Sequence, residues 1–197
     1  MARLRILIAA FFAAIISLAA TAPAWASLVY DPDTNSWVSR STITTHGGVP
    51  AAFVRTTVPY DTKFKPGTIV IETSQRYLYL VLPGGQALRY GIGVGREGFA
   101  WQGQHAVTRK AEWPGWTPPP EMRQRVPDLP AYMPGGPDNP LGARAIYIGT
   151  TLYRIHGTSE PWTIGQAVSS GCIRLTNDDI IDLYDRVKVG SLVVVHQ

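Results

Sequence analysis

Short segments rich in β-branched and aromatic residues follow one another along the chain after Gly67. Such segments, when bounded by glycine, proline and polar residues, are typical of β-strands. Pro83-Gly84-Gly85 separates two of them and predicts a tight turn within a hairpin or meander. We therefore expect a mainly β domain, with strands at residues 68–73, 76–82, 86–94, 105–113, 144–149, 151–156 and 188–196.

One segment, residues 176–187, clearly has the hydrophobic spacing of an amphipathic helix. Thr176 and Asp179 have the spacing of a capping box, and the acidic residues of the first turn suit the positive end of a helix. Five apolar residues share one face and predict packing on the core: Ile180, Ile181, Leu183, Tyr184 and Val187.

Residues 1–26 have the parts of a secretory signal peptide. Arg3 and Arg5 are followed by an apolar stretch over residues 6–20, and Ala24-Trp25-Ala26 supplies small residues at the expected cleavage positions. We expect cleavage before Ser27. The alternative is an uncleaved anchor, but the apolar stretch is shorter than the ~20 residues that span a bilayer.

Residues 27–65 lack a sustained hydrophobic pattern and are interpreted as a polar, irregular N-terminal extension. Asp31-Pro32-Asp33 and His46-Gly47-Gly48 are turn signals. We expect this extension to be ordered only if it packs on the following domain, which we place at residues 66–197. His46 is interpreted as a loop residue.

The stretch from Pro114 to Pro140 contains nine of the sixteen prolines. Proline lacks the amide hydrogen that central strands and helix interiors need. Long connections without regular structure tend to be functional or disordered, and the large apolar side chains here argue against full disorder. We expect residues 114–143 to form a lid or a wall of a substrate groove, the alternative being an ordered but passive loop.

Charge and composition say little about partners. The formal charge of +4 includes Arg3 and Arg5, so a chain without the signal peptide would carry about +2. That balance does not indicate nucleic-acid binding. A remainder of about 170 residues suffices for one domain with its own core, and no second stretch is apolar enough to suggest a membrane span.

Cys172 is the only cysteine of the chain and lies in Ser169-Ser170-Gly171-Cys172-Ile173-Arg174. In an exported protein it cannot form a disulfide within its own chain, and a free thiol near a histidine is a candidate nucleophile. The alternative is a buried core residue, since free cysteine is often buried. The small residues before it and the arginine after it do not suggest an apolar core stretch.

His156 is the best candidate base, because it ends a predicted strand and precedes Gly157. The backbone amides of Ser170, Gly171 and Cys172 are candidates for an oxyanion hole, which glycine helps to shape. No carboxylate stands out as the partner of His156, since Glu160 is near in sequence only.

Arg174 lies two residues after the cysteine, on the same side of an extended backbone. It is a candidate for binding a substrate carboxylate, the alternative being a surface ion pair with the helix at residues 178–185. His105 and His196 fall in or at the ends of predicted strands, where we expect structural roles. No ligand spacing indicates a metal site, and no cofactor is expected.

The pattern His156-Gly157-Thr158 followed by Ser169-Ser170-Gly171-Cys172-Ile173-Arg174-Leu175-Thr176-Asn177 resembles the L,D-transpeptidase family, or YkuD domain. The resemblance covers about residues 66–196 and includes Gln75-Arg76-Tyr77-Leu78-Tyr79-Leu80 and residues 135–144. Many members have a second histidine where this chain has Ser170. A Gram-negative envelope subgroup, which includes the ErfK and YbiS proteins, shares that serine.

The resemblance implies a compact β-sandwich or barrel-like domain with one or two short helices. It implies that Cys172 is the nucleophile, that His156 is the base, and that the backbone carbonyl of Gly157 orients the imidazole. The implied reaction is acyl transfer on peptidoglycan stem peptides in the periplasm. The thiolate attacks a tetrapeptide stem, releases D-alanine and passes the acyl group to an amine, giving a 3→3 cross-link or attachment to an envelope lipoprotein or outer-membrane protein. Acylation by carbapenems is also expected.

Two other functions stay open at this point. An L,D-carboxypeptidase or amidase would use Cys172 and His156 in the same way and differ only in accepting water. A non-catalytic peptidoglycan-binding module is the alternative outside enzymology, and the presence of both residues argues against it.

Overall fold

The computed structural model describes residues 28–31, 36–39, 48–97 and 101–197. The predicted signal peptide and His46 lie outside these residues. The strands are β1 Leu28–Asp31, β2 Ser36–Ser39, β3 Thr56–Pro59, β4 Ile69–Glu72, β5 Tyr77–Leu82, β6 Gln86–Gly91, β7 Val94–Gly95, β8 Gly103–Glu112, β9 Arg144–Ile148, β10 Arg154–His156, β11 Ala167–Ser169, β12 Ile173–Arg174 and β13 Leu192–His196. The α-helices are α1 Pro120–Arg125 and α2 Asn177–Arg186, and short 3-10 turns occupy Ala51–Phe53 and Pro161–Thr163.

A curled nine-stranded sheet forms the body of the molecule, in the order β12-β10-β9-β8-β13-β4-β5-β6-β3. The pairs β13–β4 and β10–β12 are parallel, and the other neighbours are antiparallel. Two small sheets, β1–β2 and β7–β11, complete the described strands. The prediction of a mainly β fold is confirmed.

The centre of this sheet is covered on both faces. In β4, consecutive residues Ile69, Val70 and Ile71 are all fully buried, although alternate side chains of a strand point to opposite faces. Ile69 and Ile71 belong to the main core, whereas Val70 packs in a smaller cluster on the other side with Tyr79. An uninterrupted apolar run is the expected sequence pattern for a strand buried on both faces.

Helix α2 covers the sheet beside β9 and supplies Ile180 and Leu183, both fully buried, to the main core. The Thr176 hydroxyl caps the helix by accepting a hydrogen bond from the Asp179 amide at 3.1 Å. The predicted helix, its cap and its apolar face are therefore confirmed. No helix in the part of the chain that the structure describes is long and apolar enough to span a bilayer.

The N-terminal extension is more regular than expected where it meets the domain. β3 pairs with β6 at one end of the large sheet, and Arg55 forms ion pairs with Asp179 at 3.5 Å and Asp182 at 3.2 Å. Phe53 lies directly over Gly91 and Gly165, where a side chain in place of either hydrogen would clash with it. The expectation of an irregular segment is wrong for residues 51–59, because pairing with β6 satisfies the backbone of a polar strand.

Three predicted strands are shorter in the structure. The segment predicted at 86–94 divides into β6 and β7, the strand predicted from 151 begins at Arg154 after a turn, and the last begins at Leu192. Gly190 explains the last case, because its φ of +92° belongs to a turn and not to a strand.

The proline-rich segment is ordered around a small apolar cluster of its own. Trp116, Met122, Leu129 and Leu141 are buried together, and Trp116 exchanges two backbone hydrogen bonds with Met133, at 2.8 and 2.7 Å. Helix α1 begins at Pro120, a position where proline is tolerated because that amide has no intrahelical partner. The role of this segment as a lid stays a prediction.

Candidate active site

The parallel pairing of β10 with β12 brings the two halves of the motif together. Ile155 is opposite Ile173 and His156 is opposite Arg174, and the Leu175 amide donates to the His156 carbonyl at 2.9 Å. Both isoleucines point into the main core. Because strand side chains alternate, His156 and Arg174 lie on the other face, and Cys172 directly precedes β12.

Cys172 is half-buried and lies in a turn that Ser169 holds together. The Ser169 hydroxyl donates to the Cys172 carbonyl at 2.6 Å and accepts from the Gly171 amide at 3.1 Å. Gly171 has a φ of +104°, which a residue with a side chain rarely adopts. Ser169 and Gly171 therefore hold the thiol of Cys172 in a defined turn directly before β12.

One of the three predicted oxyanion donors is already engaged inside this turn. The Gly171 amide donates to Ser169 and so is directed at the turn itself. The amides of Ser170 and Cys172 are the other two predicted donors, and their role stays a prediction. The hydrogen bond from the Gly171 amide to the Ser169 hydroxyl could not be predicted from the motif, because it depends on the conformation of the turn.

His156 is almost fully buried, and its ring Nδ1 lies 2.6 Å from the Gly157 carbonyl oxygen. A carbonyl only accepts hydrogen bonds, so Nδ1 carries the proton and Nε2 has the free lone pair. The contact implied by the family resemblance is thus present. Burial, followed by the positive charge of Arg174, lowers the pKa of His156 to about 3. The imidazole is therefore neutral near pH 7.

Arg174 does not lie at the surface. Its side chain is only 2% exposed, and its Nη1 forms an ion pair with Glu160 Oε2 at 3.0 Å, with Thr163 Oγ1 at 3.4 Å. The alternative of a surface ion pair with α2 is wrong, because the ion pair is buried and its acid is Glu160. Such burial does not favour direct contact with a substrate carboxylate, and the binding role of Arg174 stays a prediction.

Glu160 is closer to the site than its sequence position suggested. It is 3% exposed and accepts from Arg174, whose charge in turn acts on His156. Glu160 therefore contacts Arg174, whereas the ring of His156 is hydrogen bonded to the Gly157 carbonyl. The loop after β10 brings Glu160 to Arg174 of β12, and a sequence pattern does not show that contact.

Asn177 links the base to the end of the proline-rich segment. Its Oδ1 accepts from the Ala143 amide at 2.9 Å, and the Gly157 amide donates to the Arg144 carbonyl at 3.1 Å. A Cβ at Gly157 would clash with Asn177 Oδ1. Glycine at position 157 thus permits the close approach that fixes the carbonyl beside His156.

A cleft of about 320 Å³ opens beside the cysteine turn and includes Gly171, Ile173, Arg76, Arg96 and Trp101 in its lining. The Trp101 indole Nε1 donates to the Gly171 carbonyl at 2.8 Å. No feature of the sequence indicated this contact, because Trp101 is far from the motif along the chain.

The other histidines lie apart from this arrangement. His105 is in β8 and His196 ends β13, as expected. His196 Nδ1 contacts Glu72 Oε1 at 2.7 Å at the surface. Within the described ranges no group of three or more histidine, cysteine, aspartate or glutamate residues could hold a metal ion.

A mainly β domain with a half-buried thiol directly before one strand, and a buried neutral imidazole at the end of the strand paired with it, has the parts of a nucleophilic active site. Residues 66–195 match the model of the L,D-transpeptidase catalytic domain, YkuD. The match covers well over half of the sequence, and the chain belongs to the L,D-transpeptidase family.

Individual relatives agree with this family. The chain is 45% identical over 134 residues to "Probable L,D-transpeptidase ErfK/SrfK" of Escherichia coli strain K12, and 42% identical over 134 residues to "Probable L,D-transpeptidase YbiS" of the same strain. Each match covers 64% of this chain and 43% of the relative, so the chain spans less than half the length of these curated relatives. The expected similarity to the ErfK and YbiS proteins is confirmed.

A solved structure covers more of the chain. A crystal structure from Brucella melitensis, described as a "Probable carnitine operon oxidoreductase caia", is 46% identical with a TM-score of 0.51. The match covers 78% of this chain and 99% of that one. That name differs from the family of this chain, which the domain match defines over residues 66–195.

Proposed function

We propose that this chain is a periplasmic, cysteine-dependent L,D-transpeptidase that acts on peptidoglycan stem peptides. The observation that carries the proposal is the pairing of β10 with β12. It sets β10, which ends in His156 with its Nδ1 hydrogen bonded to Gly157, beside β12, which begins directly after the half-buried Cys172. The predicted signal peptide at residues 1–26 is the basis for the proposed location.

The lowered pKa of His156 sets the starting state of the reaction. A neutral imidazole with its proton on Nδ1 has an Nε2 lone pair that can accept the thiol proton of Cys172. The backbone carbonyl of Gly157 takes the orienting role that a carboxylate has in other triads. Because Arg174 disfavours an imidazolium, we infer that the proton moves to Nε2 as the thiol attacks and does not rest there beforehand.

The acylation step breaks one amide bond and forms one thioester bond. Cys172 Sγ bonds to the carbonyl carbon of the third residue of a tetrapeptide stem, and the carbonyl π electrons move to oxygen. When the tetrahedral intermediate collapses, the C–N bond breaks and D-alanine leaves with the proton that His156 received. The amides of Cys172 and Ser170 are the proposed donors to the developing oxyanion.

The second step returns the enzyme to its starting state. An acceptor amine attacks the thioester carbon, its proton passes to His156 Nε2, and the C–S bond breaks to leave a thiolate that takes up this proton. The products are a new amide bond and the free thiol. The proposed acceptors are the amine of a second stem peptide, which gives a 3→3 cross-link, or that of an envelope lipoprotein or outer-membrane protein.

The proline-rich segment at residues 114–143 is the proposed wall that holds the acceptor. Its own apolar cluster gives it shape, and Asn177 connects its end to the loop that carries Gly157. Positioning an amine against the thioester can outweigh the high concentration of water. An enzyme without that positioning would hydrolyse the same intermediate as an L,D-carboxypeptidase.

Product analysis with a defined tetrapeptide muropeptide tests the proposal. We expect release of D-alanine and formation of a tetrapeptide-containing cross-linked dimer, both detected by chromatography and mass spectrometry. Cys172→Ala and His156→Gln should each abolish both products. Adding an excess of a small D-amino acid amine should divert the acyl group from water or from the dimer to that amine. Release of D-alanine with only tripeptide as the other product would make the enzyme a carboxypeptidase, and no release by the wild type would refute catalysis on this substrate.

A further inference from the structure

Trp101, two residues before β8, reaches across to the turn that carries the cysteine. Its indole Nε1 donates to the Gly171 carbonyl at 2.8 Å. The ring is half-buried, packs on the edge of the main core and lines the cleft beside the turn. It is the hydrogen-bond donor from a distant part of the chain that holds this glycine peptide.

Holding the Gly171 carbonyl also orients the Cys172 amide. The two groups belong to one planar peptide unit, and no described peptide bond is cis, so C=O and N–H point in opposite directions. With the oxygen directed at Trp101, the Cys172 N–H is directed away from Trp101. Rotation of this peptide would exchange the two directions and turn the carbonyl oxygen toward the position of the amide.

This rotation is less restricted at Gly171 than at other residues. Glycine has no Cβ, and its backbone already lies at a φ of +104°. Ser169 fixes the peptides on either side, through the Gly171 amide and the Cys172 carbonyl. The peptide between them is the one that Trp101 holds.

Aromatic packing fixes the indole itself. Trp101 stacks on Tyr153 with ring centroids 4.6 Å apart and an angle of 2° between the planes. His105 packs against it at 5.7 Å with an angle of 62°. Tyr153 immediately precedes β10, the strand that ends in His156, so the stack ties the cysteine turn to the strand of the base.

We propose that Trp101 is a positioning residue for acyl transfer: its indole N–H holds the Gly171–Cys172 peptide so that the Cys172 amide faces the developing oxyanion. The inference rests on the proposed function of Cys172. Trp101 does not touch the reacting atoms and acts only through this peptide. Its loss should slow reactions that build an oxyanion and spare reactions of the thiol that do not.

Two reactions of the Cys172 sulfur distinguish a loss of oxyanion stabilisation from a loss of thiol reactivity. Acylation by a carbapenem passes through a tetrahedral oxyanion, whereas alkylation by iodoacetamide displaces iodide and needs no oxyanion hole. Both are followed on the full chain by intact-protein mass spectrometry. Trp101→Phe keeps a ring that can stack on Tyr153 but has no N–H. We expect its maximal acylation rate to fall about 10- to 100-fold, below the loss for removing a donor itself, with little change in carbapenem affinity and alkylation within about twofold of wild type.

A matched pair of unnatural residues distinguishes the effect of losing the hydrogen bond from the effect of changing the size of the ring. Benzothienylalanine at position 101 replaces the indole N–H with sulfur and should behave like Trp101→Phe. Fluorotryptophan keeps the N–H and should restore the wild-type rate. Cys172→Ala should show neither adduct.

Each outcome bears on a different claim. Equal acylation rates in the wild type and in the variants without the N–H would overturn the positioning role. A parallel loss of acylation and alkylation would also overturn it, because Trp101 would then only maintain the packing of the turn. A wild type that is alkylated but never acylated would contradict the proposed function, and the inference with it.

Discussion

Removing the negative charge of Glu160 is expected to destabilise the domain strongly. Glu160 and Arg174 are 3% and 2% exposed, and the guanidinium Nη1 lies 3.0 Å from the carboxylate Oε2. Glu160→Gln keeps the size of the side chain but takes away the charge that faces Arg174. Removing one member of a buried ion pair costs roughly 3–5 kcal/mol, because the remaining charge is far from water.

Thermal unfolding measures this cost. For a domain of this size 1 kcal/mol corresponds to about 2–4 °C in Tm, so Glu160→Gln should melt roughly 6–20 °C below the wild type by near-UV circular dichroism. Glu112→Gln is the matched control, since Glu112 pairs with Arg144 at 3.2 Å but is 61% exposed. An exposed pair contributes about 1 kcal/mol or less, so the control should stay within a few degrees.

A double substitution distinguishes loss of charge balance from loss of packing. Glu160→Leu combined with Arg174→Met removes both charges and keeps apolar volume, and such replacements are often neutral or stabilising. The double variant should therefore recover most of the Tm that Glu160→Gln loses. A Glu160→Gln protein that melts with the wild type would refute the reasoning, as would a double variant that melts below the single one.

Three further predictions concern the base and the N-terminal extension. Gly157→Ala should lower the free energy of unfolding by roughly 1–3 kcal/mol, because the new methyl group overlaps Asn177. Gly136→Ala is the control and should be neutral, since no atom lies near the added carbon. Equal melting temperatures for the two variants would contradict this prediction. Burial lowers the pKa of His156 from 6.5 to about 3, so its ring proton shift in NMR should stay that of neutral imidazole from pH 8 to 5. Its contribution to stability should be complete above about pH 6.5 and decrease as the pH falls toward 3, since the unfolded state then binds more protons; a midpoint near pH 6.5 in the folded protein would refute the pKa shift. Arg55→Ala should cost less than about 1 kcal/mol, because its ion pairs are partly exposed, and a larger loss in a denaturant titration would show that the extension is held mainly by charge.

The strands and the helix could be predicted because their signals are local. Segments rich in β-branched and aromatic residues predicted the strands at the centre of the sheet, and the Thr176–Asp179 spacing predicted the start of α2. β3 could not be found in this way, since Thr56-Thr57-Val58-Pro59 is short, polar and ends in proline. It is a strand because β6 offers an edge with which to pair.

The same distinction, between local sequence signals and contacts made by the fold, applies to the residues of the site. Cys172, His156 and Gly157 belong to one recognisable motif, and the hydrogen bond between His156 and the Gly157 carbonyl is the one the motif suggested. Trp101 was not singled out and Glu160 was given no role, because their contacts are made through the fold: the indole of Trp101 donates to Gly171, and Glu160 accepts from Arg174. A charge two residues from a nucleophile suggested substrate binding for Arg174, whereas burial directs that charge inward.

The mass of the protein after brief exposure to a tetrapeptide muropeptide tests the central claim most directly. We expect a covalent adduct equal to the muropeptide less alanine, attached to Cys172 in the fragmented protein and discharged when an amine is added. Cys172→Ala should gain no mass. A wild type that turns over the muropeptide without any thioester, or carries the acyl group on another residue, would contradict the account.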